Sequence, residues 1–102
     1  MKTRLKAMTK AERDRIGLIK SEIGCMACRQ LDRDPTPCHA HHMLDTGSRI
    51  SHSHTYGLCE AHHVGNDMSV HKTKRKFAER FGTDEELLAA TNGLLEKLRI
   101  VR

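Results

Sequence analysis

"CMAC" at 25–28 and "CEAH" at 59–62 place two ligand-bearing pairs, each with a two-residue spacer, at either end of a 30-residue interval. Such a spacer lets both members of a pair reach one ion, and two pairs complete a tetrahedron. Cys25, Cys28, Cys59 and His62 therefore define a structural zinc site, so the chain must turn back on itself across that interval. A competing arrangement exists, because "CHAH" at 38–41 has the same spacing and can stand in for 59–62 as the second knuckle. Reading Cys38 as a small buried hydrophobe is preferred, since it releases His41 for other work.

A staple matters at this size. The chain has 102 residues, 37% of them hydrophobic, and its aromatics are Tyr56, Phe77 and Phe81. That makes one small domain whose core alone gives marginal stability. Two disulfides would be an alternative use of four cysteines, but no N-terminal segment has the apolar run of a signal peptide. The expectation is a cytoplasmic chain with reduced thiols. No stretch approaches 18 apolar residues, which argues against a membrane partner. Eighteen Lys and Arg against 13 Asp and Glu give a net charge of +5 and a pI near 9.3, which favours a polyanionic partner such as nucleic acid.

"TKAERDRIGLIKSEIG" opens with Thr9 and Glu12 at capping-box spacing and closes at Gly24, predicting a helix over about 10 to 22. Ile16, Leu18, Ile19 and Ile23 form its apolar stripe. Lys2, Arg4 and Lys6 ahead of it, with Lys10, Arg13 and Arg15 within it, read equally well as a DNA-contacting arm or a solvated face. Residues 1–23 are accordingly a basic arm and helix, and 24–102 the zinc-stapled domain with its C-terminal helices. "SVHKTKRKFAERFG" predicts a helix ended by Gly82, with Phe77 and Phe81 facing inward and Lys72, Lys74, Arg75 and Lys76 forming a basic patch beside His71. "GTDEELLAATNGLLEKLRI" repeats the capping box at Thr83 and Glu86, and sets Leu87, Leu88, Leu94, Leu95 and Leu98 on one apolar face.

The middle differs in kind. Asp34-Pro35-Thr36-Pro37 breaks any helix, and Asp45-Thr46-Gly47-Ser48 is turn chemistry. Segments 39–44 and 54–58 flank that turn and can pair as a hairpin, with a short helix from about Glu60. With His62 assigned to zinc, His39, His41, His42, His52, His54, His63 and His71 are left over. Adjacent pairs at both ends of a strand, loop, strand, helix unit are not a common accident.

That order of a histidine pair, a polar residue five positions before a knuckle, and a histidine directly after the knuckle resembles the HNH (ββα-metal, His-Me finger) nucleases. The stretch "PCHAHHMLDTGSRISHSHTYGLCEAHHVGNDMSVHKTKRKFAERFGTDEELL" is similar to the phage-encoded recombination-enhancement (Ref) nucleases, over about residues 24 to 95. The resemblance implies an α+β fold: a small, treble-clef-like ββα-metal domain with flanking helices. His41 matches the metal-ligand position on the first strand, His42 the general base, and His63 a second metal ligand. His54 stands where most relatives have asparagine, the residue that restrains the base histidine's loop, and an imidazole can supply one hydrogen bond for that task. For the third ligand His71 is named first and Asp67 second. The knuckle here is C-x-x-H rather than the usual C-x-x-C. With about 20 residues ahead of the zinc knuckle, no counterpart of the long basic N-terminal arm of the family's best-known form is expected.

These residue types suit phosphodiester hydrolysis, which needs an oxyanion nucleophile, neutralisation of growing charge and help for the leaving 3′ oxygen. A divalent ion, Mg²⁺ or Mn²⁺, held by two or three side chains acts as Lewis acid, and a neutral imidazole takes the water's proton. Arg49, in the loop between the strands, either binds a neighbouring phosphate or is an ordinary exposed arginine. His52 either orients a phosphate or is solvated. The expected function is a metal-dependent DNA endonuclease acting in a bacterial host cell, with a recombinase filament as a further partner. A zinc-stapled DNA-binding module without catalysis is the alternative, but it leaves His41, His42, His54 and His63 without a role. A purely structural zinc adaptor is the third reading.

Overall fold

The structure, a computed structural model, describes residues 7–45, 48–49 and 51–101, with the side chains of residues 45, 48, 49, 100 and 101 outside that description. Lys2, Arg4 and Lys6 of the expected basic arm lie outside the described residues, as do Thr46 and Gly47 of the expected turn.

Helix α1 spans Lys10–Leu18, with the predicted capping box closed by Thr9 and Glu12. It does not run on as α-helix: Ile19–Ile23 continues as one π-helical turn, closed where Gly24 N donates to the Ile19 carbonyl at 2.8 Å. The wider turn is consistent with burying Ile16, Ile19 and Ile23 together. Gly24 then reverses the chain at φ 73°, where a side chain is strained and a Cβ would meet the Thr36 backbone at 2.7 Å. Helix α2, Met26–Gln30, begins on the first zinc knuckle, Cys25 acting as N-cap.

Strands β1 (His39–His42) and β4 (Thr55–Leu58) pair antiparallel, with His41 opposite Tyr56 and His42 opposite Thr55. Inside them β2 (Leu44–Asp45) and β3 (Ser48–Arg49) form a short second ladder toward the hairpin tip. The expected hairpin is therefore present in two pieces. Gly57 lets β4 approach the rest of the chain, since a Cβ there would collide with the Gly24 carbonyl oxygen and with Cys38 Sγ. Helix α3 (Glu60–Val64) follows directly, N-capped by Cys59 of the second knuckle.

The predicted third helix starts later than its sequence suggests. Helix α4 covers Lys74–Phe81, because residues 69–73 form a side-chain-bonded turn instead. Ser69 N donates to Thr73 Oγ1 at 2.8 Å and Lys72 N to Ser69 Oγ at 3.1 Å, the local competition by which Ser and Thr displace helical bonds. Helix α5 (Asp84–Val101) opens on the Thr83–Glu86 capping box. One buried cluster joins Ile19 and Ile23, Cys25 and Cys28, Tyr56 and Leu58, the Phe77–Phe81 pair and Leu87, with Leu88, Leu94, Leu95 and Leu98 packed against it. The result is a small mixed helix and strand domain with a Cys₃His cluster inside it. No helix among the described residues is long and apolar enough to cross a membrane.

Candidate functional site

Cys25, Cys28, Cys59 and His62 come together with all four ligand atoms within 4.8 Å of one another. A tetrahedral zinc with Zn–S near 2.3 Å sets two sulfurs about 3.8 Å apart and a sulfur and a nitrogen about 3.5 Å apart. Cys28 and Cys59 sulfurs are 3.8 Å apart, and His62 Nδ1 lies 3.5, 3.6 and 3.2 Å from the sulfurs of Cys25, Cys28 and Cys59. The donor set and its spacing fit zinc. Burial pushes the Cys25 thiol up to about 12 when no ion is present, so an ion that stabilises thiolate has much to offer there. At Cys28 burial also works upward, but hydrogen bonds from Thr36, Cys25, Arg33 and Cys59 outweigh it and leave the thiol below its ordinary value. Cys38 stays outside this cluster, half-buried with its thiol toward the Ile19 carbonyl at 3.7 Å.

His63 follows His62 on α3, and consecutive helical residues point about 100° apart. One helix thus serves two sites. His41 on β1, His63 on α3 and His71 in the turn before α4 offer ring nitrogens that all lie within 4.8 Å of one another, with His63 Nε2 and His71 Nε2 3.1 Å apart. The last carbonyls of α3, unpaired within the helix, bring His71 there: His62 O accepts from Val70 N at 2.9 Å and His63 O from His71 N at 3.2 Å. Among the described residues Asp67 does not join this group.

His41 is 5% exposed. Burial pushes its imidazole down to about 4; Asp84 acts in the opposite direction, and His63, His71 and His42 add to the fall. His63 is also lowered, by burial first and then by His71 and His39. Both rings are therefore held toward the neutral form, which leaves a lone pair able to bind a metal ion. Asp84, which no sequence motif marks, lies 4.0 Å from His41 Nε2 and accepts from the Tyr56 hydroxyl at 2.5 Å. Burial and that acceptor hold the Tyr56 hydroxyl far above its ordinary range. His41, His71, Lys74 and Asp84 share the lining of one hollow of about 120 Å³.

His42 points to the opposite face of β1 from His41, as strand alternation requires. Its Nε2 lies 3.0 Å from His52 Nδ1, a contact that no sequence signal announces because His52 sits in the loop. His54 Nδ1 is 2.6 Å from Ser51 Oγ, and its carbonyl accepts from Met43 N at 2.9 Å. It thus braces the loop next to His42. His39 Nδ1 lies 3.3 Å from His63 Nδ1; here a signal existed, since His39 and His41 share a strand face.

Of the basic residues named from the sequence, Lys72, Lys74, Arg75 and Lys76 line a shallow surface with Thr73 and Glu79. Lys72 donates to Asn66 at 3.1 Å, and Arg75 faces Glu79 at 3.5 Å. Arg49 lies in β3, with its side chain outside the described residues. In α1, Lys10 pairs with Asp14 at 3.0 Å. Arg15 fits neither the arm reading nor the solvated-face reading, because its guanidinium turns inward onto Thr55 and Asn92.

A comparison with curated proteins finds no match. A scan against protein families matches residues 8–96 to the model described as "Recombination enhancement, RecA-dependent nuclease", a span that takes in both histidine-bearing sites and α1 to α4 with most of α5. This chain belongs to the recombination-enhancement, RecA-dependent nuclease family.

Proposed function

We propose that the protein is a metal-dependent DNA endonuclease of the HNH type that works with a RecA filament on bacterial DNA in the cytoplasm. The observation that carries the reading is the convergence of His41, His63 and His71, with His42 the next residue of β1 after His41, within a chain of this family. In this reading His41, His63 and His71 hold the catalytic ion, which when bound supplies Lewis-acid help to the leaving 3′ oxygen. His42 accepts the proton of the attacking water, and His54 holds the loop against which His42 rests. Lys74, which shares a hollow with His41 and His71, leads the phosphate toward the site. Lys72, Arg75, Lys76 and Arg49 neutralise flanking phosphates, which is a sequence-independent mode of binding. The Cys₃His zinc keeps α3 in register with both sites.

Three imidazole ligands suit borderline ions such as Zn²⁺ or Ni²⁺ by ligand softness, while Mg²⁺ and Mn²⁺ favour oxygen. The test is therefore run across a metal series. Supercoiled plasmid is incubated with the protein and Mg²⁺, Mn²⁺, Ni²⁺ or Zn²⁺, with and without EDTA, with and without RecA and ATP, beside His42→Ala. EDTA-sensitive nicking that His42→Ala reduces at least about 100-fold is expected. DNA binding without cleavage under any metal, RecA included, would instead establish the non-catalytic zinc-stapled module.

A further inference from the structure

The inward turn of Arg15 begins a chain of contacts that ends on His42. Arg15 Nε donates to Thr55 Oγ1 at 3.2 Å and Nη2 to the Thr55 carbonyl at 2.8 Å. Its remaining arm, Nη1, donates to Asn92 Oδ1 at 2.8 Å, so one guanidinium joins α1, β4 and α5. Thr55 is fully buried and stands directly opposite His42 in the β1–β4 ladder. Its hydroxyl donates to the His52 carbonyl at 2.9 Å. His52 in turn brings Nδ1 to 3.0 Å from His42 Nε2, the rings meeting edge to face at 5.2 Å between centroids.

A hydrogen bond between two imidazole rings needs a proton on one nitrogen and a lone pair on the other, so it couples the proton positions of both rings and limits their rotation. A general base must present its accepting nitrogen within hydrogen-bond reach of the water. A loop residue serves that purpose only if it is itself held. We infer that His52 is the positioning residue of His42, and that Arg15, acting through Thr55, locks His52 in place from the N-terminal helix. This rests on the reading of His42 as base. It gives the first helix a part in ordering the active site, in place of the DNA-contacting part its charges suggest.

The experiment uses the full zinc-loaded chain and four proteins: wild type, His52→Ala, His52→Asn and Thr55→Val. His52→Asn keeps a polar group near the Nδ1 position. Thr55→Val keeps the shape of the residue but loses the hydroxyl that bonds His52 and receives Arg15. Plasmid nicking gives kcat and KM separately, while ¹⁵N imidazole NMR reads the tautomer of His42 whether or not the protein cuts DNA. His52→Ala is expected to lower kcat about 10- to 100-fold with KM and zinc content unchanged, and to shift the His42 ring ¹⁵N resonances toward a tautomer mixture. His52→Asn should recover most of that loss, and Thr55→Val should move both readouts in the same direction by a smaller amount. A His52→Ala protein with wild-type kcat and an unmoved His42 spectrum overturns the inference, and so does a His52→Asn protein no better than His52→Ala. Failure of wild type to cut DNA would count against the base reading alone, since the NMR arm still decides the positioning contact. An unmoved Thr55→Val would remove Arg15 and Thr55 from the chain of control.

Discussion

Burial decides the chemistry of His41 more than its neighbours do. Its folded value of about 4 lies below the 6.5 or so of an unfolded chain, so between those values the unfolded state binds more protons. The associated stability is complete above about pH 6.5 and is lost as pH falls toward 4, a difference on the order of 3 kcal/mol. The groups facing the ring are Asp84, His63, His71 and His42. With zinc in the Cys₃His site and no ion on the histidine triad, urea melts at pH 7 and pH 5 should therefore show a loss that His41→Asn largely removes. An equal loss in wild type and variant would refute the burial argument. The residue scale also shows which identities were readable: His41 and His63 follow from position in a motif, but the pairing of His42 with His52 depends on where a loop folds back.

At the scale of elements, two glycines make opposite predictions for the same substitution. Gly17 lies in α1, and a Cβ added there would meet nothing within 4 Å, so Gly17→Ala should stabilise by about 0.5–1 kcal/mol through helix propensity. Gly57 lies where β4 meets the Gly24 carbonyl and Cys38 Sγ, so Gly57→Ala should cost about 1–3 kcal/mol or more by overpacking. Urea midpoints at unchanged slope measure both, and a tolerated Gly57→Ala would mean β4 does not press on the Gly24 turn. The existence of α1 and α5 was legible from capping boxes and apolar spacing, whereas α2 on the first knuckle carried no such signal. The start of α4 was not, because Ser69 and Thr73 bond each other and use up the signal that a helix would have needed.

Across the whole molecule the Cys₃His cluster and the +5 charge make separate predictions. The cluster ties α2 to α3, with Cys25 and Cys28 in the buried core and Cys59 packed against it. Cys25→Ser should therefore lose one equivalent of zinc together with cooperative unfolding, as removal of a structural metal does; a sharp melt without zinc would contradict the staple. For DNA, replacing Lys74, Arg75 and Lys76 together by Gln should weaken binding to all sequences alike. The slope of log K against log salt should become shallower by up to about three units, and sequence-dependent losses would point to base reading instead.

The sequence by itself determined the residue types of both Cys/His clusters and the existence of α1, α3, α4 and α5, since ligand spacing and apolar period are local properties of the chain. It also carried the family resemblance, through motifs such as "CHAHH" and "CEAHH", and the family match bears that out. Tertiary structure alone decided which residue joins His41 and His63, because Asp67 and His71 are separated by a turn whose path depends on the α3 carbonyls. It also decided that Arg15 faces inward, since its partners are 40 and 77 residues away and no local pattern encodes a contact at that range. The reason is physical: periodicity shows which face of an element is buried, whereas the partner waiting on that face is set by how the elements pack.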